Sequence, residues 1–373
     1  MTKRPTIAII GAKGIPFVYS GYETFVRELS LRLAKRYELH VYCHRGLFSS
    51  RPAYWNGVRL HYLPAVESKY FTHVTAGVVS TLHALLNNYD IYFYLNSANG
   101  PFGLILKCFG KRTVLNTDGM EWKRPQLHGP AAAYYRWASA RGTRHFQTLV
   151  SDSKAMADVY EKEFQAPSEV IAYGADIDVK SSDSEIDRYG LVKNGYYLVV
   201  GRLIPDNNAE LIIEGVRRSG SKRKLVIVGD LLFDDPYVRA IRRHSSGDVI
   251  LTGFVRDREA LRGLYRGAFA YLHGHEFGGT NPALLEALAS GCCAMALDTP
   301  FNREVLSGEE FGMLFDKDPG SLARLIRRAE NDSQAVKHYR DLAASRIESQ
   351  YTWEKIASQY DELFQRLLST GRR

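Results

Sequence analysis

The sequence predicts an α/β protein made of two consecutive doubly wound domains, each built on a parallel β-sheet. Strand-like apolar runs alternate with helical patterns along the chain, and the alternation restarts once, after a polar, loop-like stretch at 180–193. The length of 373 residues is enough for two such domains. We expect the domains to face each other across a cleft, because ligands of such sheets bind at the carboxyl ends of the strands.

The first half begins with a buried-strand pattern over Thr6–Gly11 and a helical pattern over 21–36. Phe25, Leu29 and Leu33 recur at the spacing of one helical face, which predicts that this face packs on the sheet. Further strands are predicted at Glu38–Cys43, Val58–Leu63, Ile91–Leu95, Thr113–Asn116 and Thr148–Ser151.

The second half repeats the alternation. Its strands are predicted at Tyr196–Gly201, Lys224–Gly229, Val249–Thr252, Phe269–His273 and Cys293–Leu297. A helical pattern follows the first of them to about Arg218, and Tyr351–Leu368 has the pattern of one amphipathic helix. We therefore predict a first domain over 1–175, a second over 176–350 and a terminal helix within 351–373.

Composition and charge restrict the class of protein. We find no apolar run of membrane-spanning length and no signal-peptide pattern, so we expect a cytoplasmic protein. The four cysteines lack metal-ligand and redox spacing, which favours core thiols. The net charge of +8 is uneven: residues 1–175 hold 21 Lys and Arg against 12 Asp and Glu, whereas residues 176–373 hold 28 against 29. The basic first half favours an anionic partner (lipid, a phosphorylated acceptor or nucleic acid), or it serves solubility alone.

The strongest local signal is the segment Gly278-Gly279-Thr280-Asn281-Pro282 with Glu286. It follows a predicted strand and opens a helix, with Asn281 as N-cap and Pro282 at the first helical position. The glycines let the backbone approach a ligand, and the free N–H groups of a helix N-terminus favour an anion such as a diphosphate. Glu286 lies about one turn into the helix, where its carboxylate can accept hydrogen bonds from vicinal sugar hydroxyls. The alternative is an ordinary helix start with a surface glutamate.

Arg202 follows the predicted strand Tyr196–Gly201, so its cation lies at the carboxyl end of a strand. There it can pair with phosphate oxygens and stabilise a departing diphosphate, although a solvated arginine is common at such a position. His273 and His275 lie close by in the sequence, without a third metal ligand. They are interpreted as pocket lining or as hydrogen-bonded core residues.

Two loops of the first half carry further candidates. Gly11-Ala12-Lys13-Gly14-Ile15-Pro16 follows the first strand but lacks the spacing of a dinucleotide fingerprint. Ser20-Gly21-Tyr22-Glu23 matches a capping box, a structural role that accounts for Ser20 and Glu23. Gly21 is a candidate for bringing backbone close to a phosphate.

Two carboxylates, Asp118 and Glu121, follow another predicted strand of the first half. Either can orient or deprotonate an acceptor hydroxyl, and position favours Asp118. The alternative is an Asx-type turn at Asp118-Gly119.

Together these segments resemble the retaining glycosyltransferases of family four, which have the GT-B fold of two Rossmann-like domains. Gly201-Arg202-Leu203 and the segment ending at Glu286 carry the resemblance in the second half. In the first half, the loop after the first strand, Ser20–Phe25, Asp118–Arg124 and Ala172–Asp176 resemble the rhamnosyltransferase-type subgroup. The resemblance covers nearly the whole chain and is more specific for the family than for the sugar.

The resemblance implies roles for individual residues. Arg202 is similar to the family's diphosphate-binding arginine, and Glu286 to the second glutamate of a pair, which holds the nucleotide ribose. Asp118 stands where many members have an active-site histidine. Gly253-Phe254-Val255 resembles the segment that contacts the nucleobase, and the helix near Trp353 resembles one that crosses back to the first domain. The implied donor-binding set is Gly21, Arg202, Asn207, Gly253, Phe254, Val255, Gly278, Gly279, Thr280, Asn281 and Glu286.

Two positions depart from the family pattern. The first glutamate of the pair is replaced by Gly278, and the lysine that usually follows the arginine by five positions is Asn207. Glu276 lies near the missing glutamate but out of register. With one cation left at the diphosphate, backbone and helix-dipole contacts must carry more of the charge. The change indicates either a different sugar, such as a deoxysugar, or weaker catalysis, and we favour the different sugar because the rhamnosyltransferase-type subgroup shares both departures.

The implied reaction is transfer of a sugar, rhamnose or another hexose, from a nucleoside diphosphate to a lipid-linked surface glycan, with retention of anomeric configuration. Asp118, Arg202 and Glu286 are the implied catalytic residues, and Asp118 and Glu121 the implied acceptor contacts. Beyond the donor substrate we expect no cofactor and no metal ion.

Several questions stay open at the level of sequence. Lys107–Arg112 and Arg136–Arg144 can dock the first domain at the inner face of a membrane, or they are solvated helix faces. A nucleotide-sugar epimerase or a phosphorylase with the same fold, and a non-catalytic sugar-nucleotide binding protein, are the alternative functions. A nucleic-acid partner is disfavoured, because the predicted anion-binding loop lies in the neutral half.

Overall fold

A computed structural model describes residues 4–370 apart from 17–20, 67–71, 126, 178–182, 231–234 and 246. The chain divides into two compact units: Met1–Tyr173 with Trp353–Arg373, and Gly174–Thr352. The two crossing points lie two residues from the boundaries drawn from the sequence at 175 and 350.

A β-sheet lies at the centre of the first unit. Its strands among the described residues are β1 (Thr6–Ile10), β2 (Glu38–His44), β3 (Tyr54–Trp55), β4 (Val58–Leu63), β5 (Ile91–Leu95), β6 (Thr113–Asn116), β7 (Thr148–Ser151) and β8 (Glu169–Val170). Their order in space is β3-β4-β2-β1-β5-β6-β7-β8, and the only antiparallel pair in this described sheet is β3 with β4. The direction of winding therefore reverses between β1 and β5.

Helices cover both faces of this sheet. They are α1 (Gly21–Leu33), α2 (Thr72–Asn87), α3 (Phe102–Cys108), α4 (Pro130–His145), α5 (Lys154–Phe164) and the C-terminal α13 (Trp353–Ser369). Successive residues of β5 point to opposite faces, as strand geometry requires. Tyr92 and Tyr94 pack in a cluster with Phe102 of α3, whereas the Phe93 ring packs against Phe25 of α1 and Tyr360 of α13.

The second unit is a parallel sheet with its own core. Its strands are β9 (Tyr196–Val200), β10 (Lys224–Val228), β11 (Val249–Gly253), β12 (Ala270–His273), β13 (Ala294–Leu297) and β14 (Met313–Phe315). Its helices are α6 (Ala209–Ser219), α7 (Pro236–Arg243), α8 (Arg258–Gly267), α9 (Pro282–Ala289), α10 (Pro300–Val305), α11 (Pro319–Asn331) and α12 (Ser333–Arg346). The strand order β11-β10-β9-β12-β13-β14 reverses between β9 and β12.

The predicted fold class, two doubly wound α/β units, is confirmed. Every predicted strand is present, with bounds that agree to within one residue. The loop expected at 180–193 was wrong in part, because Asp183–Tyr189 forms a 3-10 helix. The prediction of core thiols was wrong for Cys108, which is exposed, and right for the other three cysteines. Among the described residues, no helix combines the length and the apolar character needed to cross a membrane.

Candidate functional site

The second unit gathers its predicted site residues where the strand order reverses. Arg202 lies just past the end of β9, and the loop that follows β12 leads into α9. Ligands of doubly wound sheets bind at this reversal, outside the carboxyl ends of the strands. Arg202 is exposed, whereas the loop residues Gly278, Gly279 and Thr280 are buried.

The start of α9 has the geometry that the sequence predicts. The Asn281 side chain accepts a hydrogen bond from the Ala283 N–H at 2.9 Å, and Pro282 is the first helical residue. Gly278 has a φ of +136°, a conformation that side chains rarely adopt. The loop thus delivers the N-terminus of α9 to the reversal point, where a helix dipole stabilises an anion.

Asn207 and His275 form a hydrogen-bonded link between the two strand ends. Asn207 Nδ2 donates to the Arg202 carbonyl oxygen at 2.7 Å, and its Oδ1 accepts from His275 Nδ1 at 2.8 Å. A Cβ atom placed on Gly278 would lie 2.9 Å from His275 Nε2. His275 therefore contacts both positions at which the chain departs from the family pattern. The sequence offered His275 as a lining residue or as a hydrogen-bonded core residue and gave no sign of this link.

Glu276 is held by groups from two other loops, those that follow β9 and β14. Its backbone N–H donates to the Asp206 carbonyl at 3.0 Å, and its carboxylate accepts from Lys317 Nζ at 2.6 Å. Lys317 stands about half exposed beside the loop, and sequence reasoning missed it because it is distant along the chain.

His273 is a core residue. It is buried at the end of β12, and its Nδ1 lies 2.9 Å from the Tyr271 hydroxyl. Burial, with a smaller effect from His275, holds the pKa of His273 well below its usual range, so the ring is neutral. Of the two interpretations drawn from the sequence, the structure favours the hydrogen-bonded core residue.

Glu286 lies on α9 and faces α8. Its Oε1 is 3.6 Å from Arg258 Nη2, a partly exposed ion pair that the sequence did not reveal. Position 286 is only partly buried, so a ligand can reach its carboxylate.

Gly253 ends β11, and Phe254 and Val255 follow it at the same edge of the sheet. Gly253 has a φ of +73°, and its turn leaves the Phe254 ring 40% exposed. An exposed aromatic ring is suited to a planar ligand such as a nucleobase.

The first unit has its own cluster at the corresponding reversal between β1 and β5. Gly11 has a φ of +109°, and a Cβ there would lie 2.2 Å from the Leu95 carbonyl oxygen, so only glycine allows the two strand ends to approach. Glu23 is buried and accepts a hydrogen bond from the Lys13 N–H at 2.7 Å, which ties α1 to this loop. Gly21 begins α1, and Ser20, the predicted cap, lies outside the described residues.

Asp118 is held by two tyrosines after β6. Tyr173 donates its hydroxyl to Asp118 Oδ2 at 2.6 Å, and Tyr22 donates to the Asp118 carbonyl oxygen at 2.9 Å. The Asp118 N–H is bonded to Asn116 Oδ1 at 2.9 Å. Burial, followed by the charge of Asp118, raises the pKa of Tyr173 and of Tyr22, so both hydroxyls keep their protons. The carboxylate of Asp118 is thereby oriented at the carboxyl edge of the sheet.

Glu121 is buried behind this loop. Its Oε1 lies 3.4 Å from Asn96 Nδ2 and 3.8 Å from Arg124 Nη2. Its carboxylate also approaches Gly119, where a Cβ would lie 2.5 Å from Glu121 Oε1. These contacts give Glu121 a positioning role under the Asp118 loop and leave Asp118 as the more accessible carboxylate.

Metal ligands are not grouped in the described parts of the chain: no set of three His, Cys, Asp or Glu side chains there could hold an ion. The cluster in the second unit, Arg202 with the start of α9 and Glu286, offers groups that can pair with an anion and with hydroxyls, and we call it the anion-and-hydroxyl cluster. The cluster in the first unit contains an oriented carboxylate.

Two family models match the chain, one in each half. Residues 19–179 match "Glycosyltransferase Family 4", and residues 182–346 match "Glycosyl transferases group 1". Together the two matches cover most of the sequence.

Curated relatives are distant. The N-acetylgalactosamine-N,N'-diacetylbacillosaminyl-diphospho-undecaprenol 4-alpha-N-acetylgalactosaminyltransferase of Campylobacter jejuni is 27% identical over 42% of this chain and 43% of its own length. The GDP-mannose-dependent alpha-(1-6)-phosphatidylinositol dimannoside mannosyltransferase of Mycobacterium tuberculosis is 25% identical over 61% and 60%. The chain thus spans about half the length of the curated relatives it matches.

Solved structures share the fold. Sucrose-phosphate synthase from Thermosynechococcus elongatus superimposes with a TM-score of 0.84 at 17% identity, covering 99% of this chain and 100% of that one. HepE from Anabaena, in complex with UDP-glucose, gives 0.77 at 17% identity, covering 97% and 99%. With a Family 4 domain followed by a group 1 domain, the chain belongs to the glycosyltransferases of the GT-B fold.

Proposed function

We propose that the protein transfers a hexose from a nucleoside-diphosphate sugar to a hydroxyl of a lipid-linked glycan. The observation that carries this proposal is the cluster at the reversal point of the second sheet. There an exposed arginine, the N-terminus of α9 and a reachable carboxylate lie on one edge. A diphosphate needs the first two groups, and a ribose needs the third.

The donor is bound by the second unit in this proposal. Arg202 pairs with the diphosphate, and the backbone of Gly278–Asn281 adds N–H groups at the start of α9. Glu286 accepts from the ribose hydroxyls, and the Gly253–Val255 turn receives the base. Other family members usually have a lysine at this position. Asn207 is uncharged and acts instead through its hydrogen bonds to Arg202 and His275.

The acceptor is bound by the first unit. Asp118, oriented by Tyr173, positions the acceptor by accepting a hydrogen bond from one of its other hydroxyls, and Glu121 supports the loop from beneath. Gly21 at the start of α1 offers backbone N–H groups to the phosphate next to the sugar.

Transfer with retention follows from departure and attack on the same face of the sugar. Arg202 and the amides at α9 stabilise the leaving diphosphate as its charge develops, and a leaving phosphate oxygen takes the acceptor proton. The acceptor oxygen forms the new bond to the anomeric carbon as the bond to the diphosphate breaks. The proposal requires neither a metal ion nor a cofactor.

Rhamnose is the proposed sugar, with other hexoses as the wider class. Gly278 replaces a glutamate that would contact sugar hydroxyls, and the space near it contains His275. A sugar with fewer hydroxyls needs fewer hydrogen-bond partners from such a site.

A lipid-linked acceptor is supported by the names of the relatives. The Campylobacter enzyme is named for a diphospho-undecaprenol substrate, and the Mycobacterium enzyme for a phosphatidylinositol dimannoside. We therefore place the protein in the cytoplasm, peripherally on the inner face of the membrane.

A panel of nucleotide sugars tests the proposal. Thermal unfolding is measured with each donor, because a ligand at a hundred times its Kd stabilises the native state by about 2.7 kcal/mol. The stabilising donor is then incubated with a lipid-linked acceptor, and NMR gives the anomeric configuration of the product. We expect one donor class to stabilise the protein and the product to keep the donor's configuration. An inverted product contradicts retention, and an epimerised or phosphorolysed sugar from donor alone contradicts transfer.

A further inference from the structure

The outward side of α2 is apolar although it is exposed. Val78, Leu82 and Leu86 follow one another at intervals of four residues and are 41%, 53% and 86% exposed. The opposite side of the helix, with Thr81 and Ala84, is fully buried. The sequence of α2 contains no Asp, Glu, Lys or Arg. A helix that lay in water alone would normally carry charges on its outer side.

The apolar surface continues onto α3 and the turn that follows it. Leu104 and Phe109 are 49% and 65% exposed, and Ile105 lies between them. Lys107 is exposed among these side chains, and Lys111 follows at the end of the turn.

Direct contacts make α2, α3 and α4 one continuous surface. A Cβ on Gly77 of α2 would lie 2.2 Å from the Phe102 ring at the start of α3. Lys111 Nζ donates to the side chain of Asn88, just after α2. Lys107 Nζ donates to the Arg144 carbonyl oxygen of α4 at 3.3 Å. We call the outer side of these three helices the α2–α4 face.

Charge on the α2–α4 face has a single sign. The sequences of α2, α3 and α4 contain no Asp or Glu, and α4 adds the exposed cations Arg136, Arg141 and Arg144. Trp137 is 47% exposed, with the Arg141 guanidinium 5.7 Å from its ring centre.

A groove of about 720 Å³ runs along the edge of this face. Arg136, Trp137 and Arg144 line it on the α4 side, and Lys162 and Glu163 line it on the α5 side. Glu163, the carboxylate in this lining, is paired with Lys123, so its charge is largely compensated.

We propose that the α2–α4 face docks the first unit on a bilayer containing anionic phospholipid. Exposed aliphatic and aromatic side chains enter the boundary between headgroups and acyl chains, and cations next to them pair with lipid phosphates. The proposed function supplies only the reason for such docking, because a lipid-linked acceptor lies in a membrane.

Two other occupants fit the face less well. A second copy of the chain would set Arg141 and Arg144 against the same cations across a two-fold axis. Nucleic acid pairs with the cations but leaves the aliphatic stripe of α2 in water, because bases stack on aromatic rings rather than on leucine.

Co-sedimentation with vesicles tests the proposal on the full-length protein without any sugar donor. The vesicles are phosphatidylcholine alone or phosphatidylcholine mixed with phosphatidylglycerol. We expect binding to the mixed vesicles only, and weaker binding as salt is raised. Leu82→Asp with Leu86→Asp should lower the partition coefficient at least about tenfold through lost apolar burial. Arg141→Glu with Arg144→Glu should lower it roughly twenty-fivefold or more, since each cation contributes about fivefold.

Matched controls lie elsewhere on the first unit. Leu47→Asp and Arg45→Glu with Arg51→Glu make the same changes at exposed positions outside the face and should leave binding unchanged. Equal loss in the control and face variants would overturn the proposal. Wild-type binding that does not depend on phosphatidylglycerol would also overturn it. The same holds if Leu82→Asp/Leu86→Asp changes the oligomeric mass and leaves vesicle binding intact, or if the protein binds single-stranded DNA in preference to vesicles. Vesicle binding with no sugar transfer would instead refute the proposed function and leave the docking face standing.

Discussion

Four residues in the loops after β9 and β12 are linked to one another. Asn207 bonds to both the Arg202 carbonyl and His275, and His275 lies where a side chain at position 278 would point. A change at Gly278 therefore acts on Arg202 through two hydrogen-bonded residues. The missing family glutamate and the missing lysine are parts of one rearrangement, with His275 between them.

The variant Gly278→Ala tests this dependence. Both Gly278→Ala and the control Gly220→Ala place a side chain at positive φ, +136° and +73°. Gly220→Ala should lose about 1–2 kcal/mol of unfolding free energy, and Gly278→Ala at least as much, because its φ lies outside the left-handed helical region. A Cβ at Gly220 meets nothing within 4 Å, whereas one at Gly278 meets His275. We expect calorimetric titration with donor to show at least about a tenfold loss of affinity in Gly278→Ala alone. Equal affinities in the two variants would show that His275 does not position the loop.

The bond from Tyr173 to Asp118 gives a second residue-level prediction. Tyr173→Phe removes the 2.6 Å hydrogen bond, which is worth roughly 1.5–3 kcal/mol when the acceptor is charged. We expect kcat for transfer to fall roughly tenfold or more while the KM for donor stays unchanged. Tyr134→Phe, which removes a 3.2 Å bond to the Ala98 carbonyl, is the control and should retain kcat. A rise in donor KM without loss of kcat would place Tyr173 outside acceptor positioning.

Sequence reasoning at this scale succeeded where a signal is local. The cap at Asn281 was predicted because its partner is two residues away. The bond between Asn207 and His275 spans 68 residues, and that between Asp118 and Tyr173 spans 55. Such pairs depend on which strand ends become neighbours, and one sequence contains no periodic pattern that specifies this.

At the scale of elements, a partly buried histidine network joins β2, β4 and α2. His40 Nδ1 lies 2.9 Å from His61 Nε2, and the Tyr42 hydroxyl lies 3.0 Å from His83 Nδ1. Burial, with Arg59 among the smaller causes, lowers the pKa of all three rings, and that of His61 from 6.5 to about 4. Glu38 opposes the shift at His40, to which it is hydrogen-bonded.

This network should make stability depend on acid. Between pH 6.5 and about 4, His61 is protonated in the unfolded chain and neutral in the native state. The free energy of unfolding should therefore fall as pH is lowered through that window. Above it the contribution should level off. Urea unfolding at a series of pH values gives the free energy of unfolding as a function of pH. We expect it to change less with pH in His61→Gln than in wild type or in His338→Gln, an exposed control. An unchanged pH dependence of the unfolding free energy in His61→Gln would contradict the lowered pKa.

Long elements were predictable and short ones were not. Strands of four or more residues carry enough apolar positions to stand out, as Ile91–Leu95 does. The two-residue strands β3 and β8 and the three-residue β14 were missed, since their pairing depends on neighbours. For β3 a signal was present: Asn56-Gly57 has positive φ at both residues, the geometry of a tight hairpin turn.

At the scale of the whole molecule, the two units carry different charge and different chemistry. The basic first half contains the oriented carboxylate and the α2–α4 face, whereas the near-neutral second half contains the anion-and-hydroxyl cluster. The domain division was readable from the restart of the strand pattern. The apolar stripe on α2 was not, because periodicity reveals an apolar helix side without telling whether another element covers it.

The central claim is that Arg202 and Glu286 bind and activate a nucleoside-diphosphate sugar. The most direct measurement is kcat/KM for transfer by Arg202→Ala and Glu286→Ala, beside Arg324→Ala and Glu362→Ala as exposed controls on α11 and α13. Loss of charge stabilisation at a departing diphosphate costs on the order of a hundredfold, so Arg202→Ala should fall at least that far. Glu286→Ala loses hydrogen bonds between a carboxylate and the ribose, worth roughly 1.5–3 kcal/mol, so it should fall at least about tenfold, and both controls should match wild type. Wild-type kcat/KM in either site variant would contradict the claim.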